Sequence, residues 1–535
     1  MRAAIFVTIA ALAGCSSSLD RVRDMRAQAP DWYEARKTEF RGVGYPSIFS
    51  VPVPSTSNDT LRKLELSEAE TLAALELFNN DPRAELPIES ADEIKARFLD
   101  GRRCGSVHSP LQRAARPPLD PEFQSMEIRT MSGEFHKIRR LPPYVFEQVN
   151  RRKAELRAGG ADIIDLGMGN PDMPAPPHVI AKLAETAAKP NVHGYSASRG
   201  IPGLRRALVD YYDRRFDVKL DKNREVIVTL GSKEGFANLA QAITAPGDVI
   251  LAPDPSYPLH HFGFIMAGAS IRAIPAPTPE AYLSGISKAI RYSVPPPTAM
   301  VLCYPSNPTA DVCDLEFYKD AVALAKKHDL YILSDLAYNE IYFEEPTPSI
   351  LQVDGAKDIA VETTTMSKTY SMAGWRIGFA AGNERLIGAL GRVKSYLDYG
   401  AFTPIQVAAC AALDGPQDCV DEFRATYKSR RDVLIESFGR AGWDVPSPAA
   451  SMFAWAEIPP QCGDMRSLEF ALKLMNEAEV AVAPGAGFGE HGDRHVRIAL
   501  VENEQRIRQA ARNIKRFLAK LEEGGQSEPL QRTGS

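Results

Sequence analysis

Three short apolar runs in the middle of the chain each end in a polar cluster, and this repetition limits the possible folds more than any other feature. Residues 299–304 (AMVLCY) lead into Pro305-Ser306-Asn307-Pro308-Thr309, and residues 330–334 (LYILS) lead into Asp335-Leu336-Ala337-Tyr338. The β-branched run 359–366 leads into Ser367-Lys368-Thr369-Tyr370, and after an irregular turn Arg376 opens a further apolar run, 376–380. Uninterrupted apolar runs of this length predict strands buried on both faces, the pattern of an α/β fold with a parallel sheet. Such sheets bind ligands at the carboxyl ends of their strands. An amide (Asn307), a carboxylate (Asp335), a phenol (Tyr338), an amine (Lys368) and a guanidinium (Arg376) are therefore expected to converge.

A lysine at the end of a buried strand supplies an amine that can join covalently to an aldehyde, and a nearby arginine supplies a fork for phosphate. One cofactor, pyridoxal phosphate, requires both. The alternative on these residues alone is a solvated lysine beside a structural arginine. Residues 225–230 predict another strand, which turns through Gly231-Ser232-Lys233-Glu234-Gly235 into a helix whose free amides favour an anion at Ser232 and Lys233. Many strand–turn–helix junctions contain Gly-Ser, so that signal is weak alone. Arg497 interrupts the apolar strand expected at 495–500 and calls for a carboxylate, either a ligand's or a structural partner's. A strand at 162–166 delivers Gly167-Met168-Gly169-Asn170-Pro171-Asp172, where glycine allows backbone to approach a ligand or simply to turn. The Gly-rich segment 483–489 reads as a flexible loop and follows no dinucleotide-binding pattern.

In order and approximate spacing, Asn307, Asp335, Tyr338, Lys368 and Arg376 match the cofactor-binding residues of class I/II aminotransferases, and the chain resembles that family from about Phe135 to about Leu521. The stretches 193–202 (HGYSASRGIP), 231–235, 367–379 and 395–404 (SYLDYGAFTP) are most similar to the bacterial glutamate–pyruvate (alanine) aminotransferase branch. The resemblance implies a fold-type-I transferase with a large, mostly parallel seven-stranded sheet domain and a smaller α+β domain. It implies pyridoxal phosphate held by Ser232, Lys233, Tyr257 (stacked on the ring), Asn307, Asp335, Tyr338, Ser367, Lys368 and Arg376, with Tyr195 reaching the cofactor phosphate of the neighbouring subunit. Lys368, Asp335 and Tyr338 would be catalytic, while Gly169, Asn307 and Arg497 would hold the substrate α-carboxylate. The implied substrates are small amino acids and 2-oxo acids, above all L-alanine with 2-oxoglutarate, in a homodimer with shared sites. Other activities on this fold remain open: aspartate, aromatic or other neutral amino acid transamination, or a β-lyase reaction. A noncatalytic anchored binding protein is the alternative of a different class.

At 535 residues two or three domains are expected. A net charge of -5 gives no reason to expect nucleic acid or an anionic membrane surface as partner. Seven scattered cysteines without a Cys-x-x-Cys pair predict reduced thiols, and no metal site is expected. Residues 1–15 combine a basic start, a short apolar core and Leu12-Ala13-Gly14-Cys15, which resembles the bacterial lipoprotein signal in which the cysteine is acylated. Acylation would attach the chain to a membrane; the alternative is a buried or frayed helix, and dependence on cytosolic pyridoxal phosphate favours the cytoplasm. Residues 16–125 form an extension with short helices at 67–78 and 90–99 and a linker at 116–121. The enzyme-like region has plausible starts at Met126 and Met131. Its expected parts are an arm and the start of the small domain (126–185), a large cofactor-binding domain (186–430), a C-terminal small domain (431–522) and a mobile tail (523–535). A long helical region, 384–440, would connect the two domains.

Overall fold

The computed structural model describes residue 135 and residues 137–525; Cys15 with its signal-like segment, the helices expected at 67–78 and 90–99, and the linker lie outside the described residues. In chain order the strands are β1 (Ile164–Asp165), β2 (Val226–Thr229), β3 (Val249–Asp254), β4 (Ser270–Pro275), β5 (Pro297–Cys303) and β6 (Tyr331–Asp335). They continue as β7 (Ala360–Thr365), β8 (Gly378–Gly382), β9 (Phe453–Glu457), β10 (Val480–Ala481), β11 (Ala483–Pro484) and β12 (His495–Ala499).

The large domain is built on a seven-stranded sheet of order β2-β8-β7-β6-β5-β3-β4. The five strands from β4 to β7 run parallel, and β8 is antiparallel to both its neighbours. Alternate residues of the central strands enter different cores: Met300, Leu302 and Ile332 pack on one side, and Ala299, Val301, Leu333 and Val361 on the other. Burial on both faces is why these runs lack polar alternation in the sequence.

The helical region expected at 384–440 is three helices, Glu384–Leu397, Thr403–Asp414 and Asp418–Arg440. Gly400 breaks the first junction at φ +81, where a Cβ would lie 2.2 Å from the Ala197 carbonyl, and Gly415-Pro416 breaks the second. The third helix leads into the small domain, where β11, β12 and β9 form an antiparallel sheet and β1 pairs with β10. Phe438, Trp443, Phe470, Leu474, Ile498 and Ile514 fill its core. The strand expected at 162–166 is only two residues long because its partner is equally short and Asp165 turns back to accept the amides of Gly167 and Met168. The segment read as a flexible loop at 483–489 is instead β11 followed by a tight turn, Gly485–Phe488, packed between the domains. The final helix, Glu504–Gly525, runs past the expected start of a mobile tail at 523. Among the described residues, no helix is long and apolar enough to cross a membrane.

Candidate active site

The carboxyl ends of β5, β6 and β7 open into a cavity of about 380 Å³ between the two domains. Gly169, Ser232, Lys233, Tyr257, Asn307, Asp335, Tyr338, Ser367, Lys368, Arg376 and Arg497 all line it. Tyr195 does not. It is 89% exposed and packs against Tyr399 on the outer surface, with ring centroids 4.8 Å apart.

Lys368 stands on a single helical turn, Met366–Thr369, that β7 feeds directly and that Thr365 caps by accepting the Ser367 amide. Its Nζ donates to the Gly169 carbonyl at 2.7 Å. Burial, reinforced by the Arg497 and Arg376 charges, holds its pKa down to about 8, so a far larger fraction is neutral near pH 7 than for an ordinary lysine. At the end of β6, Asp335 accepts from the Ala337 amide through Oδ1 and pairs with His260 Nε2 through Oδ2 at 3.0 Å. His260 is fully buried, and its Nδ1 lies 2.8 Å from Ser256 Oγ. If the serine hydroxyl donates to Nδ1, the proton is fixed on Nε2 and points at the carboxylate.

Arg497 reaches the cavity from β12. It donates to Asn307 Oδ1 at 2.7 Å and to the Gly167 carbonyl at 3.2 Å, and Phe453 and Phe488 lie 4.0 and 4.7 Å from its guanidinium carbon. Among the described residues it has no carboxylate partner, and its buried Nε has no hydrogen-bond partner. Burial pushes its pKa down to about 10. A structural ion pair is therefore not what holds it; a buried cation of this kind gains from an incoming anion. Gly169 permits the close packing beside it, since a Cβ there would lie 2.7 Å from the Phe453 ring. Two ion pairs brace this loop: Lys153 to Asp165 at 2.6 Å and Arg430, bidentate, to Asp172 at 2.7 and 2.8 Å.

One end of the cavity lies where the helix Ser232–Ile243 begins. Gly231 precedes it at φ +84, and a Cβ there would lie 2.4 Å from Arg376 Nη2. A Cβ on Gly378 would lie 2.7 Å from the Ser232 amide. Arg376 spends one N–H on each of the Ala373 and Leu230 carbonyls and retains others for an anion. A cup of helix amides, hydroxyls and guanidinium at one end, a carboxylate backed by histidine at another and a depressed-pKa lysine between them fit pyridoxal phosphate. Replacing Arg376 with alanine is expected to weaken cofactor retention about ten- to a hundredfold. Dialysis followed by absorbance of the bound cofactor measures this.

Sequence reasoning missed His260, Ser256, Phe453 and Phe488. The first two were findable, because Ser256 and His260 are four apart and flank Tyr257 at the start of a helix. The aromatic pair comes from distant segments that no local pattern joins. His260, Cys303 and Asp335 also bring three potential ligand atoms within 4.8 Å of one another. Two of them already form the hydrogen-bonded support of the cofactor site, and burial drives the Cys303 thiol pKa well upward.

The fold and site define a pyridoxal-phosphate-dependent transferase of fold type I. The family model "Aminotransferase class I and II" matches residues 161–514, and the chain belongs to that family. It is 64% identical over 391 residues to a putative aminotransferase, AatC, of Rhizobium meliloti (strain 1021), covering 73% of this chain and 96% of that protein. It is 53% identical over 382 residues to the glutamate-pyruvate aminotransferase AlaC of Escherichia coli (strain K12), covering 71% and 93%. Among solved structures, apo-BacF from Bacillus subtilis superposes with a TM-score of 0.69 at 35% identity, covering 72% of this chain and 98% of that one. The chain is thus a pyridoxal-phosphate-dependent aminotransferase acting on amino acids and 2-oxo acids.

Proposed function

We propose that the chain exchanges the amino group of L-alanine with 2-oxoglutarate, giving pyruvate and L-glutamate in two half-reactions. The observation that carries this reading is the 53% identity to a glutamate-pyruvate aminotransferase over nearly that protein's whole length. The cavity is compatible with it: Tyr144, Phe146, Phe453 and Phe488 line it around Arg497, so a methyl side chain meets apolar walls. Bound pyridoxal phosphate supplies the aldehyde that accepts the amino group and a ring that delocalises charge. Arg497 grips the substrate α-carboxylate and so aims the α C–H bond, with Asn307 and Gly169 completing the seat. Lys368 Nζ would take up and return the substrate α-proton. Asp335 would stabilise a protonated ring nitrogen of the bound cofactor, and Tyr338 and Asn307, 3.5 Å apart, would hydrogen-bond its ring hydroxyl. Ser232, Lys233, Ser367 and Arg376 retain the phosphate.

A pocket for one methyl group discriminates poorly, by about 1–3 kcal/mol, so other small neutral amino acids are expected to react more slowly. A panel of amino donors against pyruvate and 2-oxoglutarate tests the assignment. Preference for an aspartate or aromatic donor would overturn the substrate while leaving transamination intact, and ammonia release without a 2-oxo acid would point to a lyase.

The reading includes a homodimer in which Tyr195 serves the partner's site. Its exposure, beside the exposed Tyr396, Leu397, Tyr399 and Phe402, supports that role. Every site residue lies beyond Met126, so a chain beginning there is expected to be cytoplasmic, dimeric and fully active. Full-length active protein recovered in membranes with acylated Cys15 would reverse the placement.

A further inference from the structure

Phe488, which covers one face of Arg497, is held from the opposite domain. The Ser256 amide donates to the Phe488 carbonyl at 2.8 Å, and Asp254 Oδ2, at the carboxyl end of β3, pairs with His491 Nδ1 at 2.8 Å. Asp254 is 4% exposed, its Oδ1 has no hydrogen-bond partner, and His491 is half exposed. His261, the neighbouring imidazole, binds the Pro253 carbonyl and leaves the carboxylate to His491. Between the two cross-domain contacts sits Gly489 at φ +141, where a Cβ would lie 1.8 Å from Asp254 Oδ1. Gly487 makes the same kind of approach to the Phe146 ring, at 2.5 Å for a Cβ. The glycines of this segment therefore serve close packing rather than mobility, within the small domain at Gly487 and across the domain boundary at Gly489.

We propose that Asp254 and His491 form an interdomain latch that seats Phe488 over Arg497, so that the substrate clamp is complete only when the two domains are locked together. The proposal rests on the reading of Arg497 as the α-carboxylate clamp. Asp254 and His491 line neither the active-site cavity nor the smaller apolar cavity of about 300 Å³ beside it, so both are positioning residues. A nearly buried carboxylate that loses its imidazole partner is left with no strong hydrogen bond, and the segment bearing Phe488 then keeps only the Ser256 amide of its two cross-domain contacts. Substrate binding weakens, while the proton-transfer groups and the phosphate cup, held by other contacts, remain in place.

The test compares full-length holoenzymes carrying His491→Leu, His491→Asn and Gly489→Ala. Asparagine can place its amide nitrogen where His491 Nδ1 lies; leucine cannot donate, and alanine forces the segment off Asp254. His491→Leu and Gly489→Ala are expected to raise KM for both the amino acid and the 2-oxo acid about tenfold with kcat unchanged, and to keep the cofactor absorbance. His491→Asn restores KM towards wild type. Amide hydrogen exchange over residues 485–492 rises in the leucine variant and not in the asparagine variant. Wild-type KM in His491→Leu, a fall in kcat without a rise in KM, or an asparagine variant indistinguishable from leucine would each overturn the latch. Arg497→Leu separates the two readings: if it too leaves KM unmoved, the clamp assignment has failed, and if it raises KM while His491→Leu does not, only the latch has. Should Gly489→Ala not fold, the leucine–asparagine pair decides.

Discussion

Lys368→Ala is expected to lower transamination about ten-thousandfold, the upper range for a positioned acid–base group and equivalent to about 5 kcal/mol of barrier. The argument is one of exclusivity. Three lysines line the cavity, but Lys153 is committed to Asp165 at 2.6 Å, and Lys233 projects near the face of Tyr257 at the phosphate end. Lys368 alone joins burial, a pKa of about 8 and a hydrogen bond to the Gly169 carbonyl. Single-turnover half-reactions at saturating cofactor measure the loss, and small exogenous amines should recover part of it, because they replace the base without replacing binding. Wild-type turnover by the variant would remove Lys368 from the mechanism. The lowered pKa carries its own sign: burial disfavours the ammonium form, and only the neutral amine attacks an aldehyde. Cofactor capture by the apoprotein should therefore quicken as pH rises through about 8 and level off above it.

The parts of this site legible in the sequence are those delivered by consecutive apolar runs. Asn307, Asp335 and Lys368 follow β5, β6 and β7, which are adjacent and parallel in the sheet, so reading the run ends in order was equivalent to reading the site. Arg376 and Ser232 were legible for a different reason, since a strand flanks each and a glycine turn marks the junction. Residues that depend on the domains coming together were not. Phe453 and Phe488 look like ordinary core aromatics along the chain, and only their placement around Arg497 gives them a function. The segment 483–489 was misread because glycine signals flexibility and close packing equally well, and distinguishing them requires knowing that Phe146 and Asp254 stand opposite. The 384–440 region, expected as one helical stretch, divides into three helices at Gly400 and at Gly415-Pro416.

Asp335→Asn is expected to slow α-proton exchange about a hundred- to a thousandfold while the cofactor stays bound, the range seen when one preorganised charge-stabilising group is lost. The amide keeps the shape of the carboxylate and can still accept from the Ala337 amide, so retention through the phosphate cup is untouched. What disappears is the negative charge that would stabilise a protonated ring nitrogen of the bound cofactor. The surroundings are arranged to hold that charge in one orientation: Ser256 and His260 form a buried hydrogen-bonded chain that ends on Oδ2. His260 acts through Asp335 and should matter less. His260→Leu removes the orienting hydrogen bond but keeps the carboxylate, so its cost should be about tenfold, near the net worth of one hydrogen bond to a charged group. Solvent-deuterium incorporation at the α-carbon of L-alanine, followed by NMR without a 2-oxo acid, isolates the proton step from product release. If Asp335→Asn exchanged at the wild-type rate, the carboxylate would be a structural cap for Ala337 and no more. If His260→Leu were as slow as Asp335→Asn, orientation rather than charge would carry the effect.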